Sequence, residues 1–156
     1  MLMLQQAHAF DVHGIRVGDK WDPDRLEEVM SYVTVPTTQR VKCSHNDEEK
    51  CSGSTRFLDA DVRLLIEGEN GRVKKITMTL PTDEFEDEIA ALKHEFGEPT
   101  SEWSASPGAT APMPFHHRVD WRLANEELFA LKFSAMGTIS LTSPEESVAN
   151  RYPPPR

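Results

Sequence analysis

Residues 61–80, DVRLLIEGENGRVKKITMTL, decide how the rest of the chain is arranged. Val62, Leu64 and Ile66 alternate with polar residues, as do Ile76, Met78 and Leu80, and period two is the signature of a half-buried strand. Between the runs stands GENG, so the two strands form a hairpin. A two-residue Asn70-Gly71 loop would oppose Arg63 and Met78 and mix the faces, because a one-residue slip flips every side chain. The expected connection is therefore a three-residue loop, Glu69-Asn70-Gly71, with Gly71 supplying the left-handed conformation. That register sets Leu64 opposite Ile76, Val62 opposite Met78 and Ala60 opposite Leu80.

A helix is expected on each side of this hairpin. Upstream, Asp22 serves as N-cap and Pro23 fits the first helical position. Leu26, Val29, Met30 and Val33 then make one apolar stripe, which Thr34 to Pro36 ends. Downstream, Thr82 or Asp83 caps a helix that buries Phe85, Ile89, Leu92 and Phe96. Lys93 and His94 stand in its last turn, and Gly97 and Pro99 stop it. Its acidic start, DEFEDE, suits the positive end of the helix dipole. FDVHGIRVGD suggests a short edge strand before the first helix.

Residues 104–115, rich in proline and small residues, read as a long loop. Three further strands follow, around Val119 and Trp121, around Phe129, Leu131 and Phe133, and around Ile139 and Leu141. Ala135-Met136-Gly137 is a candidate turn between the last two. The fold class expected is α+β in two layers, an antiparallel sheet of five to six strands with both helices on one face. Residues 10–148 form the single domain, and RYPPPR ends an extended tail over 149–156. No long internal repeat is visible. Residues 1–9 read as a signal remnant or disordered start, since Ala7-His8-Ala9 fits an A-x-A cleavage site behind Leu2, Met3 and Leu4.

Composition narrows the function. The chain has 156 residues, 38% hydrophobic and 28% charged, which suits one globular domain. Its formal charge of −9 repels phosphate backbones and favours a basic protein partner, so nucleic acid is not expected as a ligand. No stretch approaches the roughly 20 apolar residues of a membrane-spanning helix.

VKCSHNDEEKCSG, residues 41–53, holds the only two cysteines, Cys43 and Cys51. A disulfide is the leading reading and would imply an oxidising compartment, periplasmic or secreted. Free thiols in a cytoplasmic protein are the alternative, and a metal site with His45 is a third, although C-x₂₋₄-C spacing is lacking. Thiolate catalysis is opposed by the acidic loop Asp47 to Glu49.

Catalytic patterns are fragmentary. His116, His117 and Asp120 offer three potential ligands for a metal-dependent hydrolase, but adjacent histidines on a strand point to opposite faces. Asp59-Ala60-Asp61 reads as solvated charge. No phosphate loop, nucleophile elbow or zincin helix is present. No cofactor, resident metal or catalytic residue is expected. The contact candidates are Asp47, Glu48 and Glu49 in the cysteine loop, with Trp103 and Phe115 bracketing the proline-rich loop. Trp121 is expected in the core, and Trp21 and Tyr32 are the remaining large amphipathic rings considered.

GIRVGDKWDPDRLEEV, residues 14–29, resembles the opening of modules in the beta-lactamase inhibitor protein and outer-membrane assembly lipoprotein (SmpA/OmlA) families, with Gly14 and Gly18 matching in detail. The inhibitor family also carries a short disulfide loop, which CSHNDEEKC looks like. GRVKKITMTL, ALKHEFGEP and a following tryptophan resemble a strand–helix–strand arrangement of small exported bacterial inhibitor and immunity proteins. The resemblance implies an exported, non-catalytic binder, or alternatively an envelope assembly protein. Two departures stand out: no tandem module and no lipidated cysteine near the start.

Overall fold

A computed structural model describes residues 10–31, 35–105 and 114–153. The expected signal remnant, Tyr32, Val33 and Thr34 of the first helix region, most of the proline-rich loop and the last three residues lie outside the described set. Helix α1 is Pro23–Val29 and helix α2 is Thr82–Phe96. The strands are β1 Lys42–Cys43, β2 Lys50–Phe57, β3 Ala60–Glu69, β4 Arg72–Pro81, β5 Ser101–Ser104, β6 Phe115–Arg122, β7 Glu127–Phe133 and β8 Met136–Thr142. All eight join one antiparallel sheet in the order β1-β2-β3-β4-β8-β7-β6-β5.

The α+β class is as expected, but the sheet has eight strands, not five or six. The additional strands are the arms of the cysteine loop and the short edge strand β5. In β2 the inward positions are Cys51, Gly53, Thr55 and Phe57, so the buried face has only part of the apolar pattern a strand usually advertises. The chain also repeats one order of elements: a helix and a four-stranded meander, then the same again, joined where β4 pairs with β8. No sequence repeat announces this duplication of architecture.

The central hairpin corrects the expected register. Asn70 and Gly71 both have positive φ, 55° and 79°, and form a two-residue turn between Glu69 and Arg72. Such primed turns follow the twist of the strands. Face mixing is avoided by a bulge. Glu67 pairs with Lys75 and Gly68 with Val73, leaving Lys74 as the extra residue. Leu64 therefore faces Met78, and Ile66 faces Ile76. A bulge of this kind restores alternation that the short turn would have shifted by one.

One apolar row crosses nearly the whole sheet, from Cys51 through Ile66, Ile76, Leu141 and Leu128 to Trp121. Both helices cover this face. Leu26 and Met30 are buried from the α1 segment, and Phe85, Ile89 and Leu92 from α2. Helix α1 is shorter than expected, with Met30 already its C-cap; Asp22 caps its start by accepting from the Arg25 N–H at 3.2 Å. The start of α2 is not capped by Thr82 or Asp83: Pro81 holds that position, and the Thr82 hydroxyl donates instead to the Ser134 carbonyl. Gly97 ends α2 with φ 82° as expected.

Gly137 is not a turn residue. It lies inside β8, where a Cβ would come within 2.4 Å of the Phe85 ring, so the glycine makes room for the largest side chain that α2 buries. Residues 12–20, expected as an edge strand, form only single bridges, Val12 with Ile15 and Lys20 with Arg72. Beyond 148 the chain does not extend away at once. Ala149 is buried and Tyr152 packs on Phe115 and Phe133, making a second, smaller core on the opposite face of β6 and β7. This explains why Phe129 and Leu131 are buried although they face away from the helices.

Candidate functional site

Cys43 and Cys51 stand directly opposite each other on β1 and β2 and are disulfide-bonded. Both sulfur-bearing residues are buried, while His45, Asn46, Asp47 and Glu48 remain exposed beyond them. The loop is shaped from within by Asn46, whose side-chain oxygen accepts the Glu48 N–H at 3.0 Å. Two carboxylates nearby have internal duties. Glu27 of α1 accepts the Cys43 N–H at 2.7 Å, and Glu49 accepts the Gly71 N–H at 2.9 Å. Of the acidic triplet, Asp47 and Glu48 are thus presented to solvent and Glu49 braces the central hairpin.

The two aromatic contact candidates pack on each other edge to face, ring centres 5.6 Å apart. Phe115 is fully buried beneath Tyr152, and Trp103 is half-buried at the sheet edge. Only Trp103 retains surface for an outside contact.

His116, His117 and Asp120 do not converge. His116 meets the Ser134 hydroxyl at 3.1 Å. His117 faces the helix layer, with Nδ1 3.0 Å from Glu86 of α2 and Nε2 2.7 Å from Glu102 of β5. Lys132 and Lys93 hold the outer sides of those two carboxylates at 3.1 and 2.8 Å. Burial pushes Glu86 and Glu102 up, but the hydrogen bonds from His117 and the two lysines outweigh it, leaving both carboxyls below their usual range. Their stabilising contribution is present above the ordinary carboxyl value and is lost as pH falls through the lowered one.

Asp120 lies on the other face. It is fully buried, takes a hydrogen bond from Ser101, and pairs with Arg122 at 2.7 Å and with the buried Arg118 at 3.5 Å. The Arg118 guanidinium also donates to the Tyr152 carbonyl at 2.7 Å and sits 4.9 Å above the Phe129 ring. Burial pulls its pKa down while Asp120 pushes back. This is an ionic clamp that ties the C-terminal segment to the sheet, a use of Asp120 that neighbouring residue types alone do not reveal.

Glu88 is the titratable group most out of place. It is fully buried in α2, one oxygen accepts the Asp59 N–H at 3.2 Å, and the other has no partner among the described residues. Burial pushes its carboxyl up to about 7. The folded state therefore holds an extra proton between the ordinary carboxyl value and about 7, and stability declines as pH rises through that window. Glu88→Gln should flatten this decline, gaining on the order of 1–2 kcal/mol over the native chain at pH 8 relative to pH 5. Urea denaturation at the two pH values measures it, and equal pH slopes for both proteins would refute the assignment.

Charge separates by layer. The two helices carry nine carboxylates against Arg25 and Lys93, so seven of the nine surplus negative charges reside there. The eight strands carry ten lysines and arginines against six carboxylates, a surplus of four positive charges. Asp24, Glu28, Asp83, Glu84 and Asp87 are exposed on the helix layer. Asp61, half of the D-x-D pair, is held by Arg56 at 3.3 Å.

No helix among the described residues is long and apolar enough to cross a membrane. No protein-family model, curated protein or solved structure matches the chain.

Proposed function

We propose that this chain is a non-catalytic protein-binding module of the inhibitor or immunity type, working in the periplasm or outside the cell on a partner with a basic surface. The observation that carries the reading is the charge layering. The exposed carboxylates of the two helices that cover one face of the sheet make a directional acidic field, which steers encounter far better than the same charge scattered over the surface. Asp47 and Glu48 extend that field at the disulfide loop, and Trp103 offers a partly exposed ring.

Two further features support it. The disulfide suits an oxidising compartment. A helix followed by a four-stranded meander occurs twice along the chain, an arrangement in keeping with a tandem module.

The test is kinetic. Association with a captured basic partner should slow at least tenfold between about 20 and 200 mM salt. The triple variant Asp83→Lys, Glu84→Lys, Asp87→Lys should slow it by a similar factor at low salt, with dissociation nearly unchanged. Salt-indifferent association, or a triple variant that binds as fast as the parent, would remove the acidic layer from the mechanism.

A further inference from the structure

Among the described residues, the face of the sheet turned away from the helices is covered in one half only. Over β6 and β7 lie Ala149 and Tyr152 with their small core. Over β2, β3 and β4 no helix packs among the described residues, and the outward rows are Ser52, Leu65 and Thr77, then Ser54, Arg63 and Thr79, bounded at β8 by the buried Ser140. A third row begins Lys50, Glu67, Lys75.

This bare half has a charge opposite to that of the whole molecule. Lys42, Lys50, Arg56, Arg63 and Lys75 point onto it against Asp61 and Glu67. Arg56 pairs with Asp61 and Lys74 with Glu69; among the described residues Lys42, Lys50, Arg63 and Lys75 close no ion pair, although Glu67 stands opposite both Lys50 and Lys75. At one end the strands open into a groove of about 520 Å³ lined by Pro36, Val62, Leu80, Pro81 and Met136, with Asp61, already held by Arg56, and Arg63 as its charged lining. Met136 is the one large hydrophobic side chain that is substantially exposed among the described residues, at 45%.

We propose that this bare half docks a second protein surface, chemically distinct from the basic partner above, on which an apolar side chain is flanked by carboxylates. The apolar group enters the groove beside Met136, and the carboxylates meet Arg63 and the lysines of the outward rows. A protein fits better than a polyphosphate. Glu67 and Asp61 interrupt the cationic rows, and the acidic helix layer behind them repels a long, uniformly charged strand. Carboxylates placed only where the cations stand avoid both penalties.

The experiment uses the full, disulfide-intact chain labelled with ¹⁵N and three probes at low salt. One is a heptapeptide with three glutamates on each side of a leucine, one is the all-glutamate heptapeptide, and one is a short DNA duplex. The leucine peptide should bind at least fivefold tighter than the all-glutamate peptide and shift the amides of Ser54, Arg63, Thr79 and Met136. Arg63→Glu should weaken it at least tenfold, while Arg25→Glu, exposed on α1, should leave it unchanged. Equal binding of both peptides would show ion exchange alone and overturn the proposal. So would tighter binding of the duplex at the same amides, or absence of any localised shift. Self-association abolished by Arg63→Glu would show that the acidic helix layer of another copy is the occupant, which also overturns it. The salt-sensitive encounter of the acidic layer is scored by different variants, so either reading can fail while the other stands.

Discussion

Asp120→Ala should destabilise the fold by about 3–5 kcal/mol, the cost of leaving a buried cation without its counter-ion. The reason is local. Arg118 is almost fully buried beneath the C-terminal segment, and Asp120 is its nearest carboxylate. Removing the aspartate also takes one partner from the Ser101 hydroxyl and one from Arg122. Arg118→Met combined with Asp120→Leu removes both charges together and should recover most of the loss, since an apolar pair of similar volume pays no desolvation. Urea denaturation with unchanged slope distinguishes lost stability from a changed denatured state. The same variant separates two roles for this residue. A metal-hydrolase ligand would lose turnover with the fold intact, whereas a clamp residue loses the fold first.

Replacing both cysteines with alanine should cost about 2.6 kcal/mol, from the unfolded-state entropy of a nine-residue closed loop. In a chain of this length that corresponds to a fall in Tm of roughly 5–10 °C. Reductant should lower the native Tm by a similar amount and have no effect on the double variant. Thiol labelling of unfolded, unreduced protein should find no free cysteine. Two free thiols in protein taken from its native compartment would sink export as well as the stabilising role. The loss should be felt beyond the loop, because Glu49 links the cysteine arm to the turn at Gly71 and Glu27 links it to α1.

Where local pattern and burial agree, the sequence reads well. Phe85, Ile89 and Leu92 form the buried stripe of α2, and Asp22 caps α1 as its chemistry demands. The central hairpin was legible as a hairpin but not in its register, since the clue was the doublet Lys74-Lys75, which breaks alternation just where the bulge falls. The cysteine arms were harder, because β2 turns a glycine and a threonine inward between its cysteine and phenylalanine. Phe115 illustrates a different failure. Its exposure depended on whether residues 149–152 return to the sheet, a long-range event with no local signature. His117 and Asp120, three apart, serve opposite faces, so their closeness in sequence says little about shared chemistry.

The seam between β4 and β8 also governs the order in which the molecule can be completed. The first four strands each pair with a neighbour in the chain and can assemble while the remainder is still being made. The second four begin at the far margin with β5 and work inward, so the strand that seals β4 is the last to be synthesised. Until then the edge of β4 that β8 will pair, Lys75 to Pro81, offers open backbone donors and acceptors to any passing strand. A nascent chain stalled shortly before residue 136 is therefore the species most exposed to capture by its neighbours, and such late, incomplete translation products are the place where a chaperone would have most to do.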